Sequence, residues 1–391
     1  MLLEEILAVL QVAVLAFERV NSWLKAHNNP FIMNTVFLKS TFGSIEIGDL
    51  QSVRVNCNVG ANTPEQMGYE RERLKSIKDS GLLPDTFMDL SIGHYDDPLY
   101  KDIIREFGCP VGVVPAYGFP PSRITSRQEA LDILKRLADD GIAFFTLHLT
   151  ANRDLLKIAK RTRKIPVTSR GGAIVLKQAM EWLSENIWVS ILPQIVDLAK
   201  EYCIVISLGS TFRPAGIDEA CDEVHLRETE EQLKYCKLLQ NEGVQVMVEN
   251  VGHIALNRLE EHCKRLRQFD APIMPLGPLP TDCAEDEDHV AAAIGASMMG
   301  YWNCAHIINC VTRSEHSNPI FTIEETLEAI RTAKLAAHII DVARGIDMEK
   351  DTEMLNKRAE NRSCIIEDGR ECHRCSMYCP LKTFESDGSK N

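Results

Sequence analysis

The feature that most constrains this chain is a rhythm that begins after residue 50, where short apolar runs alternate with charged, helix-like segments. Strict alternation of strands and helices predicts a parallel sheet. The strand-like runs cover residues 53–58, 86–90, 111–115, 143–149, 165–168, 204–208, 244–249, 273–276 and 307–311. The helix-like segments include residues 64–80, 126–140, 173–185, 229–241 and 256–267.

Eight strand–helix units in about 260 residues fit an α/β fold of the (β/α)8 TIM type better than an open sheet. The sequence contains nine strand-like runs, so one of them is expected to be spurious or accessory. No Gly-x-Gly-x-x-Gly follows the first run, which disfavours a dinucleotide-binding domain. We expect an N-terminal helical segment (1–50), a catalytic barrel (51–346) and a C-terminal cysteine arm (347–391). Residues 2–25 are apolar over most of a helix surface and predict a packing or dimerisation helix.

The composition and charge of the chain limit the classes of binding partner that it can have. The formal charge of −13 excludes a typical nucleic-acid or anionic-membrane binder, because both need a basic face. Glu4 and Glu5 interrupt the apolar start and no basic residues precede it, so neither a signal peptide nor a membrane span is expected. Ten of the 13 cysteines are scattered, which is typical of reduced thiols in a cytoplasmic protein.

Polar residues follow the strand-like runs, at the point where each run ends. In a TIM-type barrel these positions face the C-terminal mouth, where active sites lie. One such residue is usually a helix cap or a loop contact, but a set in step with the strands indicates a functional rim. The set comprises Asn58, Asp89, Ser91, Tyr117, His148, Ser169, Arg170, Gly171, Gly172, Ser210, Arg213, Glu249, His253 and His316.

Three parts of the chain suggest specific ligands. Cys372, Cys375 and Cys379 fall within eight residues, and three close thiolates indicate a soft-metal site with one position open, typical of an iron–sulfur cluster. His253 and His316 follow different strands and are candidates for one divalent metal, although spacing alone favours two ordinary loop histidines.

The glycine-rich helix start at residues 169–172 predicts an anion site, or an ordinary strand-to-helix turn. The acidic run 285–288 lacks EF-hand spacing, so with its neighbours Asp282 and His289 it predicts a solvated loop or a helix start.

Eleven segments in order resemble the ThiC family of radical SAM enzymes, the phosphomethylpyrimidine synthases. They are VNCNVG, MDLS, GVVPAY, TLH, TSRGG, SLGSTFRP, GVQVMVENVGH, LGPLPTD, DHVAAAIG, VTRSEH and the C-terminal cysteine cluster. The resemblance implies a (β/α)8 barrel, a homodimer, and a cluster-bearing arm that closes over a barrel mouth. It also implies a [4Fe-4S] cluster, S-adenosylmethionine, zinc or another divalent metal, and an external electron donor.

The resemblance also assigns roles by position. Substrate contacts fall on Asn58, Met88, Tyr117, His148, Ser169, Arg170, Gly171, Arg213 and Glu249. Glu249 is in addition the expected catalytic residue. His253 and His316 match the two metal-ligand histidines, near where S-adenosylmethionine binds. Cys372, Cys375 and Cys379 match the cluster ligands, with Cys364 as a substitute for the third.

Some positions depart from the family. The cysteine spacing is C-x2-C-x3-C here instead of C-x2-C-x4-C, which moves the third sulfur by up to about 3.5 Å along an extended chain. Ser210 stands in the segment that usually carries a substrate-contacting aspartate, and Met274 stands where a tyrosine is usual. A lost charged hydrogen bond costs roughly 1.5–3 kcal/mol when nothing replaces it.

The implied reaction is reductive cleavage of S-adenosylmethionine to a 5′-deoxyadenosyl radical, which starts the rearrangement of 5-aminoimidazole ribotide to the thiamin pyrimidine phosphate. Formation of 5-hydroxybenzimidazole from the same ribotide is an alternative product. A non-catalytic paralogue with a metal-bound arm, paired with an active subunit, is a second alternative. A metal- or NAD-dependent barrel hydrolase is a third.

Overall fold

A computed structural model describes residues 34–93, 97–120, 123–181, 185–366 and 372–384. The helix predicted over residues 2–25 lies outside the described residues. No helix in the described part of the chain is both long enough and apolar enough to cross a membrane.

Eight parallel strands form a barrel with helices around it, which confirms the predicted fold class. Seven of the eight are only three to five residues long, and all are largely buried, as expected when helices cover the outside of a parallel sheet. Because a preceding hairpin supplies β1 and β2, the barrel strands are β3 (Arg54–Val59), β4 (Thr86–Asp89), β5 (Val111–Val113), β6 (Phe144–Leu147), β7 (Val205–Leu208), β8 (Val246–Asn250), β9 (Ile273–Pro275) and β10 (Ile307–Asn309).

The strands pair in the order β10-β3-β4-β5-β6-β7-β8-β9, each parallel to its neighbour. At the remaining edge, the His306 N–H donates to the Ile273 carbonyl at 3.0 Å, and the Ile273 N–H donates to His306 Nδ1 at 2.9 Å. These two bonds bring the first and last strands of the order together, so the sheet is nearly closed into a barrel.

The predicted strand at residues 165–168 is absent from the barrel, and it is the spurious member of the nine. Pro166 has no N–H to give to a strand ladder, which disfavours pairing inside a sheet. The segment instead runs as a loop, in which the Thr168 hydroxyl donates to the Arg213 carbonyl at 2.8 Å.

Residues 36–47 form an antiparallel hairpin, which corrects the prediction of a helical segment over residues 1–50 for this part. The hairpin consists of β1 (Val36–Ser40) and β2 (Gly43–Ile47). Val36, Leu38 and Ile47 are buried, so alternate side chains cover the barrel while those between them face outward. This period of two is the signal for a strand.

The helices lie between and after the strands. They are α1 (Pro64–Ser80), α2 (Leu99–Phe107), α3 (Arg127–Asp139), α4 (Arg153–Thr162), α5 (Arg170–Glu181), α6 (Ile187–Ser190), α7 (Leu192–Tyr202), α8 (Glu223–Asn241), α9 (Leu256–Leu266), α10 (Asp288–Tyr301), α11 (Ile323–Ala343), α12 (Glu349–Glu360) and α13 (Pro380–Thr383). Four of them, α4 to α7, stand between β6 and β7, so this connection carries a large insertion. α12 falls in the stretch expected to be a connector, and none of its residues is buried.

Candidate active site

Glu249 lies on β8 with its carboxylate inside the barrel. Its Oε1 accepts hydrogen bonds from the Thr146 hydroxyl at 2.5 Å and the Ser207 hydroxyl at 2.7 Å, which come from β6 and β7. Burial raises the pKa of Glu249, against the opposing effects of these two hydroxyls and of the Arg213 charge. The carboxyl is therefore positioned through one oxygen, while Oε2 is available to a ligand.

His148 follows β6 and is hydrogen-bonded to Ser169, with 2.7 Å between Nε2 and Oγ. The Gly172 N–H donates to Ser169 Oγ at 3.1 Å, so the serine proton is free to go to His148 Nε2. Nδ1 is then the protonated nitrogen, and it is buried without a hydrogen-bond partner. Burial, aided by the Arg213 charge, lowers the pKa of His148 to about 3, so the ring is neutral at neutral pH.

Glycines make room for this imidazole. A Cβ at Gly171 would lie 2.5 Å from His148 Cε1, and one at Gly209 would lie 2.9 Å from Nε2. A Cβ at Gly172 would lie 2.6 Å from the methyl group of Thr211. Close packing at the mouth is thus the main reason for glycines at the start of this helix.

Arg170 is the first residue of α5 and reaches across to the end of β5. Its guanidinium lies 4.7 Å from the centre of the Tyr117 ring, and Nε donates to the Tyr117 hydroxyl at 3.2 Å. Longer contacts of 3.4 Å join it to Asn62 and to the Leu90 carbonyl. The structure therefore brings the predicted residues Tyr117, Arg170 and Gly171 to one side of the mouth.

The other predicted substrate residues lie on the strands themselves. Asn58 on β3 is paired in register with Met88 on β4. Asn58 Oδ1 accepts a hydrogen bond of 2.8 Å from Asn56, which fixes its side chain. Met274 on β9 is opposite Glu249 and is completely buried, so a thioether occupies the place beside the carboxyl.

Ser210 does not face the mouth. Its hydroxyl donates to Glu228 Oε2 at 2.7 Å, and the same carboxylate accepts from the Thr150 hydroxyl and from the N–H groups of Thr211 and Phe212, at 2.6–2.8 Å. Four donors thus converge on one completely buried carboxylate from α8. Sequence reasoning missed Glu228 because an acid within a charged helix resembles a solvated one.

Asp89 and Ser91, expected on the rim, have structural roles. The Asp89 carboxylate accepts hydrogen bonds from the Ser91 and Tyr100 N–H groups, at 2.9 and 3.0 Å. Ser91 Oγ accepts one of 3.0 Å from the Ala61 N–H. These contacts fasten the loop after β4 to the start of α2, which is the ordinary role of a polar residue at a strand end.

His253 and His316 are brought together, with ring centres 5.6 Å apart. His253 Nδ1 contacts the Asp282 carboxylate at 2.7 Å, and His316 Nδ1 contacts Asp288 at 3.2 Å. In both residues the carboxylate occupies Nδ1 and leaves Nε2 for a ligand, an arrangement that orients metal-binding histidines. Asp282 and Asp288 were assigned to a solvated loop or helix start, and only proximity in the fold reveals this role.

The arm cysteines lie on residues 372–384. Cys372 and Cys379 are partly exposed, Cys375 is exposed, and all three are free thiols. Ser376–Tyr378 form a single turn before α13, and Met377, Tyr378 and Phe384 are each at least 78% exposed. These apolar side chains are not covered by the barrel of their own chain. Cys364, the substitute ligand, is also exposed.

Comparisons with known proteins identify the family of the chain. The model of the radical SAM ThiC family matches residues 32–366. A phosphomethylpyrimidine synthase of Carboxydothermus hydrogenoformans is 31% identical over 380 residues, covering 88% of this chain and 87% of that protein. A protein of the same name from Archaeoglobus fulgidus is 34% identical over 376 residues, covering 87% of each.

Among solved structures, a dihydropteroate synthase of Xanthomonas albilineans covers 77% of this chain and 98% of that one, with 10% identity and a TM-score of 0.42. A likeness this distant carries no argument about function. The family match and the curated relatives together extend over most of the sequence. The chain belongs to the radical SAM ThiC family.

Proposed function

We propose that the protein is a radical SAM carbon–carbon lyase that converts 5-aminoimidazole ribotide to 4-amino-5-hydroxymethyl-2-methylpyrimidine phosphate, the thiamin pyrimidine. The observation that carries the proposal is the family match over residues 32–366, within which the positions expected to contact substrate gather at one end of the barrel. The relatives named phosphomethylpyrimidine synthase support the same reaction.

In this proposal the ribotide phosphate is held by the side of the mouth that carries the start of α5. Arg170 supplies a guanidinium there, and helix N-termini attract anions. His148 Nδ1, which has no protein partner, donates a hydrogen bond to the substrate. Glu249 takes up or releases a proton at Oε2, because Oε1 is already bonded to Thr146 and Ser207.

Two groups that the family implies fit residues of this chain. His253 and His316 would hold a divalent metal through Nε2, since Asp282 and Asp288 occupy the other nitrogens. The three arm thiols would hold an iron–sulfur cluster, whose donor chemistry they match. When bound, the cluster supplies the electron that cleaves S-adenosylmethionine to the 5′-deoxyadenosyl radical.

The protein is further proposed to act in the cytoplasm as a homodimer, or as a heterodimer with a paralogue, and to draw on an external electron donor. The arm of one subunit would close over the mouth of the other. The exposed side chains of Met377, Tyr378 and Phe384 support this, because an apolar arm surface gains most when a second subunit covers it.

A second product, 5-hydroxybenzimidazole, is favoured by a specific observation. Ser210 turns away from the mouth toward Glu228, and Met274 places no hydroxyl beside Glu249. The pocket therefore lacks two polar contacts that the thiamin pyrimidine reaction uses in the family. The same ribotide would still bind through Arg170 and His148, while the later course of the rearrangement would differ.

The test is mass spectrometry of the products formed by anaerobically reconstituted protein with 5-aminoimidazole ribotide, S-adenosylmethionine and a strong reductant. The expected result is 5′-deoxyadenosine together with the thiamin pyrimidine phosphate. Glu249→Gln should lower product formation at least about 100-fold while the protein stays folded, because the amide cannot exchange a proton.

The controls separate the alternatives. Cys375→Ala should abolish both the cluster absorption and the 5′-deoxyadenosine. 5-Hydroxybenzimidazole in place of the pyrimidine would establish the second product. A colourless protein that retains zinc and releases no 5′-deoxyadenosine would indicate the non-catalytic subunit instead. Activity indifferent to oxygen and to loss of Cys372 would indicate a hydrolase.

A further inference from the structure

A second cluster of metal-ligand side chains lies behind the mouth, on the side of β8 that faces α8 and α9. Cys221 is in the loop after β7, His225 is in the first turn of α8, and His262 is on α9. One ligand atom from each lies within 4.8 Å of the other two. Both histidines are completely buried, and their ring centres are 4.6 Å apart.

Backbone groups fix the orientation of the amide between the two rings. The Val251 N–H donates to Asn250 Oδ1 at 2.6 Å, so that atom is an acceptor. Gln232 Nε2 donates to two backbone carbonyls, so its Oε1 must be the acceptor for Asn250 Nδ2, at 2.8 Å. Only one orientation of Asn250 satisfies all of these bonds.

This orientation determines the proton positions on both histidines. His225 Nε2 and His262 Nε2 lie 3.1 and 2.9 Å from Asn250 Oδ1, and both must donate to it. Each neutral ring therefore keeps a lone pair on Nδ1. Burial lowers the pKa of His225 to about 4 and that of His262 well below its ordinary value, which supports the neutral form.

The two lone pairs have unequal surroundings. His225 Nδ1 accepts a hydrogen bond of 3.1 Å from the Cys221 N–H, which a bound ion would displace. The Cys221 thiol lies within 4.8 Å of the ligand nitrogens of both histidines. His262 Nδ1 is buried and has no hydrogen-bond partner. A buried acceptor without a partner is unfavourable, so the site as built favours a ligand there.

We propose that Cys221, His225 and His262 bind a transition-metal ion, with zinc as the best match, through Sγ and the two Nδ1 atoms. One thiolate and two neutral imidazoles are a zinc donor set, and Asn250 supplies the hydrogen bonds that orient such imidazoles. Tetrahedral zinc with bonds of about 2.0–2.3 Å needs ligand atoms about 3.3–3.8 Å apart, so atoms that lie within 4.8 Å of one another need to approach by no more than about 1.5 Å.

The ion would join three segments around the mouth. The loop that ends at Cys221 also carries Arg213, and Asn250 is the residue after Glu249. A metal here would hold that loop against α8 and α9 from behind. This site is separate from the His253–His316 pair, shares no ligand with it, and does not depend on the reaction proposed above.

The test is an anaerobic titration with cobalt(II) of full-length protein lacking the other candidate sites, with Cys372, Cys375 and Cys379 changed to serine and His253 and His316 to alanine. Cobalt bound to a thiolate gives a near-ultraviolet charge-transfer band. We expect one equivalent to bind with this band, and adding Cys221→Ser to remove it. Cys203→Ser is the matched control, because Cys203 is also partly buried and has a similar left-handed backbone, with φ of 51° against 59°.

A band that is absent, or that persists in Cys221→Ser, would overturn the proposal. A measurement on the unmodified protein covers the case in which a variant fails to fold. Zinc should slow the alkylation of Cys221 at least tenfold, a chelator should restore it, and Cys203 should react at the same rate throughout. Equal rates at Cys221 with and without zinc would likewise refute the site.

Discussion

Single side chains at the mouth are positioned by close approach as much as by hydrogen bonds. His148 is the clearest case, because Gly171 and Gly209 leave space for its ring. Gly171→Ala should destabilise the protein by about 1–3 kcal/mol, since the new methyl group would collide with the ring. Urea unfolding measures the difference.

Gly68 provides the matched control for that substitution. It lies within α1 with nothing within 4 Å of its Cβ position. Gly68→Ala should therefore stabilise the protein by roughly 0.4–1 kcal/mol, through the reduced freedom of the unfolded chain. The idea fails if both alanines shift the free energy of unfolding in the same direction.

The buried imidazole of His148 also predicts a pH dependence of stability. The ordinary pKa of 6.5 falls to about 3 in the folded protein. Between these values the unfolded chain binds a proton that the folded chain does not, so stability falls as the pH is lowered from about 6.5. One such group contributes a slope of about 1.4 kcal/mol per pH unit.

His148→Asn should remove that part of the slope in urea unfolding measured from pH 6 to pH 4. The partly exposed His338, which contacts Asp351, is the control position, and His338→Asn should keep the slope. Equal slopes for wild type and His148→Asn would contradict the assignment.

Whether the role of a single residue could be predicted from the sequence depended on the kind of contact that the residue makes. The substrate positions came from resemblance, and spacing in the sequence alone would not have selected His253 and His316 among the other histidines. Glu228 and Asn250 were missed because their partners are distant in sequence, or because they lie beside a more conspicuous residue. A buried acid on a helix has no local signature that separates it from a solvated one.

At the scale of elements, Glu228 connects a helix to the loop after β7. Glu228→Gln should cost roughly 2–4 kcal/mol, because the amide group would face donors that a carboxylate accepts. Glu230→Gln on the exposed side of the same helix should change stability by less than about 0.5 kcal/mol. Chemical denaturation of both variants checks this, and similar values would argue against a special role for Glu228.

The loops after β8, β9 and β10 supply His253, Asp282 and His316, which meet at the histidine pair. Asp282→Asn should weaken zinc binding by about 10–100-fold, since the carboxylate orients His253. A competitive titration in a background with Cys221, Cys372, Cys375 and Cys379 changed to serine isolates this site. Asp286→Asn is the control, because the Asp286 carboxylate accepts a hydrogen bond from the Ser317 hydroxyl, at 2.6 Å, in the same region of the chain. Unchanged affinity in Asp282→Asn would exclude the orienting role.

The prediction of strands and helices succeeded where one local sequence pattern was sufficient. Short β-branched runs marked all eight barrel strands, and the Pro64–Ser80 helix matches its prediction at both ends. It failed at residues 165–168, where a proline outweighed the β-branched neighbours. It also failed at residues 36–47, where a period of two in a short hairpin was overlooked beside the long apolar run before it.

For the whole molecule, an apolar surface on two adjacent helices predicts where a second copy would dock. Ile294 and Tyr301 on α10, with Leu335 and Ile339 on α11, are 48–65% exposed. In the proposed homodimer, Ile294→Glu with Ile339→Glu should weaken association at least about 100-fold, because buried unpaired charges cost several kcal/mol. Sedimentation equilibrium measures the change.

Leu83→Glu with Ile165→Glu is the control pair, since these side chains are exposed to a similar degree on other elements. The control should dimerise as the unmodified protein does. If the wild type is monomeric, or if the charged α10–α11 variant still dimerises, this surface is not the dimer interface.

The insertion between β6 and β7 has a consequence for how new specificities arise. Ser169, Arg170 and Gly171 belong to this insertion and not to the ring of strands, whose register is fixed by neighbours on both sides. The part that would bind a phosphate is thus an insertion attached to the barrel and is not one of its strands. Related proteins could differ in residues 148–204, and so accept a differently shaped nucleotide, while Glu249 and the barrel stay unchanged. Substrate range and chemistry could then evolve separately.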